Sequence, residues 1–442
     1  MRWHEVDDVG RARLLGRGLA NFDPDLLEGI RRLIEDVRLN GDDAVVRALR
    51  DFDGCQLEPD ELAVTESEFA KAKAEIPDDL LRAIRESIGR VRAFNERVLG
   101  ERDWMAEIEA GIEVGQKTTP ITSAGLFVPS GKGSYPSSLF QIVTPAVVAG
   151  VPKIAIAVPP LPGSEGKVDP AVLVVATELG IDRVFRTNGP AGIAALAFGT
   201  ASIPQAVKVL GPGSPPVQAA QVEIQRYGTA TVMMLGPTES MIVADGSADP
   251  RLLAADLLSE AEHGSDSAAV LVTAAEELLE AVHAEIASQL AALPEPRRAY
   301  ARAAISQVGG AIVIEDLEQA VDFANLYAPE HLQVATAQPH ELLSVLDNAA
   351  EVLLGQGTPF AAANYAIGVP AALPTGRFAR VSSGVTAEAF VKKVSVARLD
   401  EQAIENLGPA ALALAEWEGF PAHAAAVRMR RTAETALHQE VR

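Results

Sequence analysis

The residues in this chain best suited to chemistry are a few histidines set beside carboxylates. Seven histidines occur, and three stand in distinctive settings. In DPRLLAADLLSEAEHGSD a helix is expected from Pro250, since proline suits a first turn. Leu253, Leu257 and Glu260 then share one stripe, and His263 follows Glu260 at a spacing that keeps it on the same face. A carboxylate on an apolar stripe is costly unless something pairs with it. A metal ion would do so; a helix-end salt bridge is the ordinary outcome for one Glu/His pair. In LYAPEHLQV Pro329 ends a helix, and Leu332 and Val334 begin a strand. Glu330 and His331 at that strand start either share a pocket as proton-transfer groups or are neighbours by chance. In EWEGFPAHAAAVRMR His423 follows Pro421 in the first turn of a terminal helix, with Glu418 just upstream. His4, His283, His340 and His438 lie in polar or helical surface contexts.

These side chains need a scaffold, and the apolar pattern outlines one. Leu26, Ile30, Leu33, Ile34 and Val37 recur at helical spacing, as do Leu81, Ile84, Ile88, Val91 and Phe94, so the first hundred or so residues are expected to form packing helices. From about Thr119 short apolar runs alternate with helix-like segments: Ala124–Val128, Ile154–Val158, Val184–Phe185 and Val207–Leu210, then Ala269–Val272, Ala311–Ile314 and Val352–Leu354. That alternation predicts two α/β units with parallel sheets. After about Val385 the chain is expected to return to helix. The turns SGKGS and GPGS after predicted strands suit either phosphate contact at a helix start or plain turn formation. No G-x-G-x-x-G fingerprint is present.

Composition narrows the function. With 48% hydrophobic and 22% charged residues the chain is a folded rather than a disordered one. A formal charge of −22 makes nucleic acid and anionic membrane poor partners. The single cysteine, Cys55, excludes an intrachain disulfide and a multi-thiolate metal site. The opening MRWHEVDDVG lacks the pattern of a secretory signal. The most apolar stretch, around Ile142 to Pro160, is too interrupted by Pro145, Gly150, Pro152 and Lys153 to span a bilayer. A cytoplasmic protein is expected.

From about Gly115 to Arg430 the chain resembles the histidinol dehydrogenase family in several segments that occur in the family's order: GLFVPSGKGSYPSS, VLGPGS, GPTESMIVAD, ADLLSEAEH, APEHLQV, NYAIGVPAALPT, SSGV and EGFPAHAAAVRMR. The resemblance implies an α/β fold of two Rossmann-like parallel-sheet domains with a helical N-terminal segment and a helical C-terminal tail. The expected division is residues 1–24, a first α/β domain from 25–134 and 239–385, an inserted one at 135–238, and a tail at 386–442 that crosses to a homodimer partner. It further implies zinc, NAD and two successive oxidations of a small primary alcohol. By position, Glu330 would activate water and His331 would be the general base. Zinc would be held by Glu260, His263, Asn364 and His423. Substrate would meet Thr238, Ala371 and Glu418, besides the zinc residues and His331. NAD would meet Tyr135, Ala191 and Ser214.

Several positions depart from the family pattern. Glu260 stands for the family's Gln and Asn364 for its Asp, which moves one carboxylate across the metal site while keeping its formal charge; oxygen ligands of either kind bind zinc. Ala371 replaces a histidine and removes a polar group expected near an imidazole-bearing substrate. Thr238 replaces serine, Ala191 glutamine and Ser214 asparagine. Arg377 replaces a small residue and either faces an acidic substrate or lies on the surface. The expectation is therefore a zinc- and NAD-dependent alcohol dehydrogenase whose substrate differs from L-histidinol. A genuine L-histidinol dehydrogenase and a non-catalytic, ligand-binding homologue are the alternatives.

Overall fold

A computed structural model describes residues 2–17, 23–130, 133–232 and 235–431. Gly131 and Lys132 of the SGKGS turn, His438 and the rest of the terminal segment lie outside the described residues. The chain divides into two compact units: the residues up to Val98 together with Ile121–Phe390, and Leu99–Pro120 together with the chain from Val391 onward.

The described residues form three sheets. β1 (Trp104–Glu109) and β2 (Ile112–Pro120) start an antiparallel one. β3 (Ala124–Phe127), β4 (Ile154–Val158), β5 (Val184–Arg186) and β6 (Lys208–Leu210) make a parallel sheet in the order β5-β4-β3-β6. β7 (Glu239–Ala244), β8 (Ala268–Thr273), β9 (Gly310–Val313), β10 (His331–Ala335) and β11 (Glu351–Leu354) make another in the order β11-β10-β7-β8-β9. β12 (Val391–Leu399) returns to pair with β2 along its whole length.

Both parallel sheets are covered on their faces by helices, which is why their strands read as unbroken apolar runs. The helices Pro24–Asn40 and Asp42–Asp53 bury Ile30, Ile34, Val37, Val45 and Leu49 in one core with Phe127, Ala155 and Phe185 of the four-stranded sheet. In the five-stranded sheet Ile242, Ala244 and Leu271 pack under the helices Pro250–Ala261 and Glu276–Ala292. Met241, Val243 and Val270 point the other way, onto Phe323 and Tyr327 of the helix Leu317–Tyr327. Each buried Val, Leu, Ile, Met or Phe among these stabilises the fold by about 1.5–3 kcal/mol.

Two expectations need correction. The strand Ala124–Phe127 does not belong with the 239–385 sheet: it pairs with β4 on one side and β6 on the other. Its four residues are all buried, and a central place between two strands is what satisfies both its edges. The helices Pro24–Asn40 and Asp42–Asp53 join it there, so a first domain running from 25 to 134 is not what the packing produces. Nor is the segment after Val385 wholly helical. Val394 and Val396 alternate with Lys393, Ser395 and Ala397, a period of two that favours a strand, and β12 precedes the helices Glu401–Trp417 and Pro421–Arg428. Within the second unit these two helices pack through Leu412, Ala415, Ala424 and Val427. No helix among the described residues is long and apolar enough to cross a membrane.

Candidate active site

A cavity of about 380 Å³ is lined by residues that follow β3 and β6 and by residues that precede β7 and β10. In the four-stranded sheet β3 is where the strand order reverses, with β4 and β5 to one side and β6 to the other. Crevices beyond the carboxyl ends of strands at such a reversal are where open α/β sheets bind ligands. Tyr135 directly precedes the helix Pro136–Ala149, and Ser214 directly precedes Pro215–Ile224; both line the cavity. So does Asn188, which caps the helix Gly189–Phe198. The positive end of a helix dipole favours an anionic ligand. After Ser214, however, Pro215 and Pro216 carry no N–H and the Val217 N–H is bonded to the Ser214 carbonyl, and the Gly189 N–H is bonded to the Asn188 side chain. Ala191 is placed differently: it is 1% exposed, buried with Phe127 and Ala155, and is not part of the lining.

Glu330 and His331 line the same cavity. The turn that delivers them begins at Ala328, which caps its helix at a φ of 51°. A non-glycine residue in the left-handed region costs about 1 kcal/mol or more and persists only where its surroundings impose it. Both side chains are buried. The Glu239 amide donates to Glu330 Oε2 at 2.9 Å, while Glu330 Oε1 lies 3.8 Å from His331 Nε2. On the far side of the ring, Nδ1 is 2.7 Å from Glu351 Oε2. Burial raises the Glu330 pKa, and the charges of Glu239 and Glu260 add to this against the opposing effect of His331 and the Glu239 amide. Burial works against the His331 cation, yet the carboxylates of Glu330 and Glu351 outweigh it and raise the pKa. Glu239 is itself buried, with Arg17 at 3.4 Å and the Gly376 amide donating to it at 3.0 Å.

The helix Pro250–Ala261 contributes Glu260 to the lining, with His263 just beyond its end. Its Asp249 cap accepts from the Arg251 amide, and Leu253, Leu257 and Glu260 are buried along one stripe. Glu260 is not in a salt bridge with His263. Asn364 donates from Nδ2 to its Oε1 at 3.0 Å, and its Oε2 is buried with no hydrogen-bond partner. His263 directs Nδ1 at the backbone carbonyls of Ser259 and Glu260, 3.1 and 3.3 Å away, which leaves Nε2 for another partner. One turn earlier, Asp256 accepts from Gln333 Nε2 at 2.7 Å; burial pushes its carboxyl up to about 6, with Glu260 adding to this and Gln333 opposing it.

Glu260, His263, Asn364, Thr238, Ala371, Glu330, His331, Tyr135 and Ser214 thus border one cavity. Glu418 and His423 belong to the second unit, where both are exposed and the His423 ring lies 5.2 Å from that of Phe420. Among the described residues no three His, Cys, Asp or Glu side chains gather as a metal-holding group. Arg377 does not line the cavity; it is partly buried at a φ of 67°, and burial with the nearby charges of Arg380 and Arg17 lowers its pKa. Glu239, Glu351, Asp256 and Gln141 also stand at or beside the cavity residues, at positions whose part in the site the sequence did not assign. The signal for Glu351 was a charged residue heading the apolar run Val352–Leu354, as His331 heads Leu332–Val334.

A family model described as histidinol dehydrogenase matches residues 19–431. A histidinol dehydrogenase homolog of Colwellia psychrerythraea is 39% identical over 431 residues, covering 96% of this chain and 95% of the relative. The histidinol dehydrogenase of Synechocystis is 41% identical over 401 residues, covering 90% and 92%. The crystal structure of histidinol dehydrogenase from Elizabethkingia anophelis superposes with a TM-score of 0.88 at 33% identity, covering 92% of each chain.

Proposed function

Given that this chain belongs to the histidinol dehydrogenase family, whose members oxidise an alcohol through an aldehyde to an acid with NAD, we propose that it is a zinc-dependent dehydrogenase of a small primary alcohol other than L-histidinol. The observation that carries the reading is the buried Glu330–His331 pair, which lines the same cavity as the residues that follow the strand reversal. Ala371 supports the change of substrate, because the cavity wall there presents a methyl group where the family has an imidazole. A ligand that relied on the missing polar partner loses that hydrogen bond and binds less well there.

The donor set suits a divalent metal. Glu260 offers a buried oxygen without a partner, His263 a ring whose other nitrogen is already engaged, and Asn364 an amide beside them. These residues would hold zinc, with His423 from the second unit of a partner chain. The crevice suits NAD in the same sense: Tyr135 and Ser214 stand at helix starts, and both amide atoms of the cavity-lining Gln141 are buried without partners. When bound, zinc supplies a Lewis acid for the substrate oxygen and NAD an acceptor for hydride. His331 takes the hydroxyl proton at Nε2 as the alcohol is oxidised. Glu330, anchored by the Glu239 amide, orients the water that adds to the aldehyde and accepts its proton. Their burial keeps bulk water from competing for these protons.

The alternative is a genuine L-histidinol dehydrogenase, favoured by the 41% identity to the Synechocystis enzyme. NADH formation on a panel of amino alcohols, diols and L-histidinol separates the two. Turnover of L-histidinol at least as efficient as that of every other alcohol would overturn the proposed substrate class.

A further inference from the structure

We propose that Glu351 is a positioning residue for His331, fixing which ring nitrogen is the base. This rests on His331 being the general base of the reaction above. β10 and β11 run parallel, and their register sets His331 directly beside Glu351. Neighbours in such a register project to the same face of the sheet, and the two side chains meet at 2.7 Å, both buried. The imidazole also lies against Phe360 in a T-shaped arrangement, with the ring centroids 5.9 Å apart and 68° between the planes, which restricts the tilt of the ring.

An ionised carboxylate only accepts hydrogen bonds, so Nδ1 must carry the proton that joins it to Glu351. In the neutral ring the lone pair then belongs to Nε2, which is the nitrogen that faces Glu330. Without Glu351 either tautomer is open, and the one with its proton on Nε2 cannot act as a base toward the cavity. The carboxylate also stabilises the imidazolium formed once a proton has been taken up. Glu351 does not line the cavity, so it acts only through His331. The other charged groups acting on the ring or its neighbour are Glu330, Glu260 and Glu239. All of these are carboxylates like Glu351, which differs from them in being hydrogen-bonded to the ring.

The test is Glu351→Gln in the full-length, metal-replete protein. A positioned base contributes about 10²–10⁴-fold, and the variant is expected to lose about 10–100-fold in kcat with KM for the alcohol nearly unchanged. Losing the neighbouring charge lowers the pKa of His331, so the rise of kcat/KM with pH must move to lower pH in the variant. Glu351→Asp, which keeps the charge on a shorter arm, should recover part of kcat and part of the pH shift. Nitrogen-15 imidazole spectra, with the His331 signals identified through His331→Ala, read the same point without turnover. Wild type should hold its neutral-ring proton on Nδ1, and Glu351→Gln should not do so uniformly. Unshifted profiles together with an unchanged tautomer would overturn the proposal, whereas a kcat loss without either change would make Glu351 merely structural and overturn it as well. Failure of the parent reading looks different: His331→Ala would then retain full turnover whatever stands at 351.

Discussion

The imidazole of His331 lies between two carboxylates, and this arrangement dictates how activity should respond to pH. Glu330 and Glu351 raise its pKa above the ordinary 6.5 despite burial. A base works only when deprotonated, so kcat/KM is expected to keep climbing from neutral into alkaline pH rather than level off near neutrality. A steady-state pH profile checks this, and a plateau already reached at neutral pH would contradict it. His331→Ala should lose about 10²–10⁴-fold in turnover with the fold intact by circular dichroism. Glu330→Gln should slow oxidation of the aldehyde more than that of the alcohol; equal slowing of both steps would refute the division of roles. Both residues were legible in the sequence, because APEHLQV names them together. Glu351 was not, since its partnership depends on the register of two strands, which a run of apolar residues leaves open. Ala191 shows the converse: matching a family position did not place its side chain on the cavity, because a small apolar residue on that helix is drawn into the core.

The helix Pro250–Ala261 presents two buried carboxyl groups, Asp256 and Glu260, on the side that meets β10 and Asn364. Asp256 has its amide partner in Gln333, and Glu260 keeps one oxygen unsatisfied, an expensive arrangement unless a cation completes it. One zinc per subunit is therefore expected by elemental analysis of protein purified without chelator. Glu260→Gln removes the only carboxylate among the three first-unit metal positions and should reduce zinc occupancy severalfold. Adding Asn364→Asp to that variant returns the carboxylate on the other side of the site and should restore zinc. A double variant as empty as the single one would show that the two positions do not compensate for each other. The helix itself was legible from Pro250 and the stripe Leu253, Leu257 and Glu260. β12 was missed because its interspersed lysines and short valine alternation were outweighed by the alanine-rich helices that follow it.

At the scale of the whole molecule the two parallel sheets were legible as alternation, but their membership was not. β3 lies between β4 and β6 by tertiary pairing, which no local pattern encodes. The second unit leaves much apolar surface uncovered: Trp417 is 91% exposed, and Leu414, Phe420, Ile108 and Met105 are also open. The proposed homodimer, in which His423 would complete the partner's site, would give such residues a surface to pack on. Mixing His331→Ala with His423→Ala chains should return part of the activity, because one site of the heterodimer has both histidines. No recovery after demonstrated subunit exchange would mean that each chain supplies its own His423. The proposed function requires two oxidations at one site, and the ratio of NADH formed to alcohol consumed tests that most directly. Two NADH per alcohol, with the carboxylate as product and turnover by His331→Ala lowered about 10²–10⁴-fold, is the predicted result. No NADH from any alcohol by zinc-loaded protein, or one NADH with the aldehyde accumulating, would contradict it.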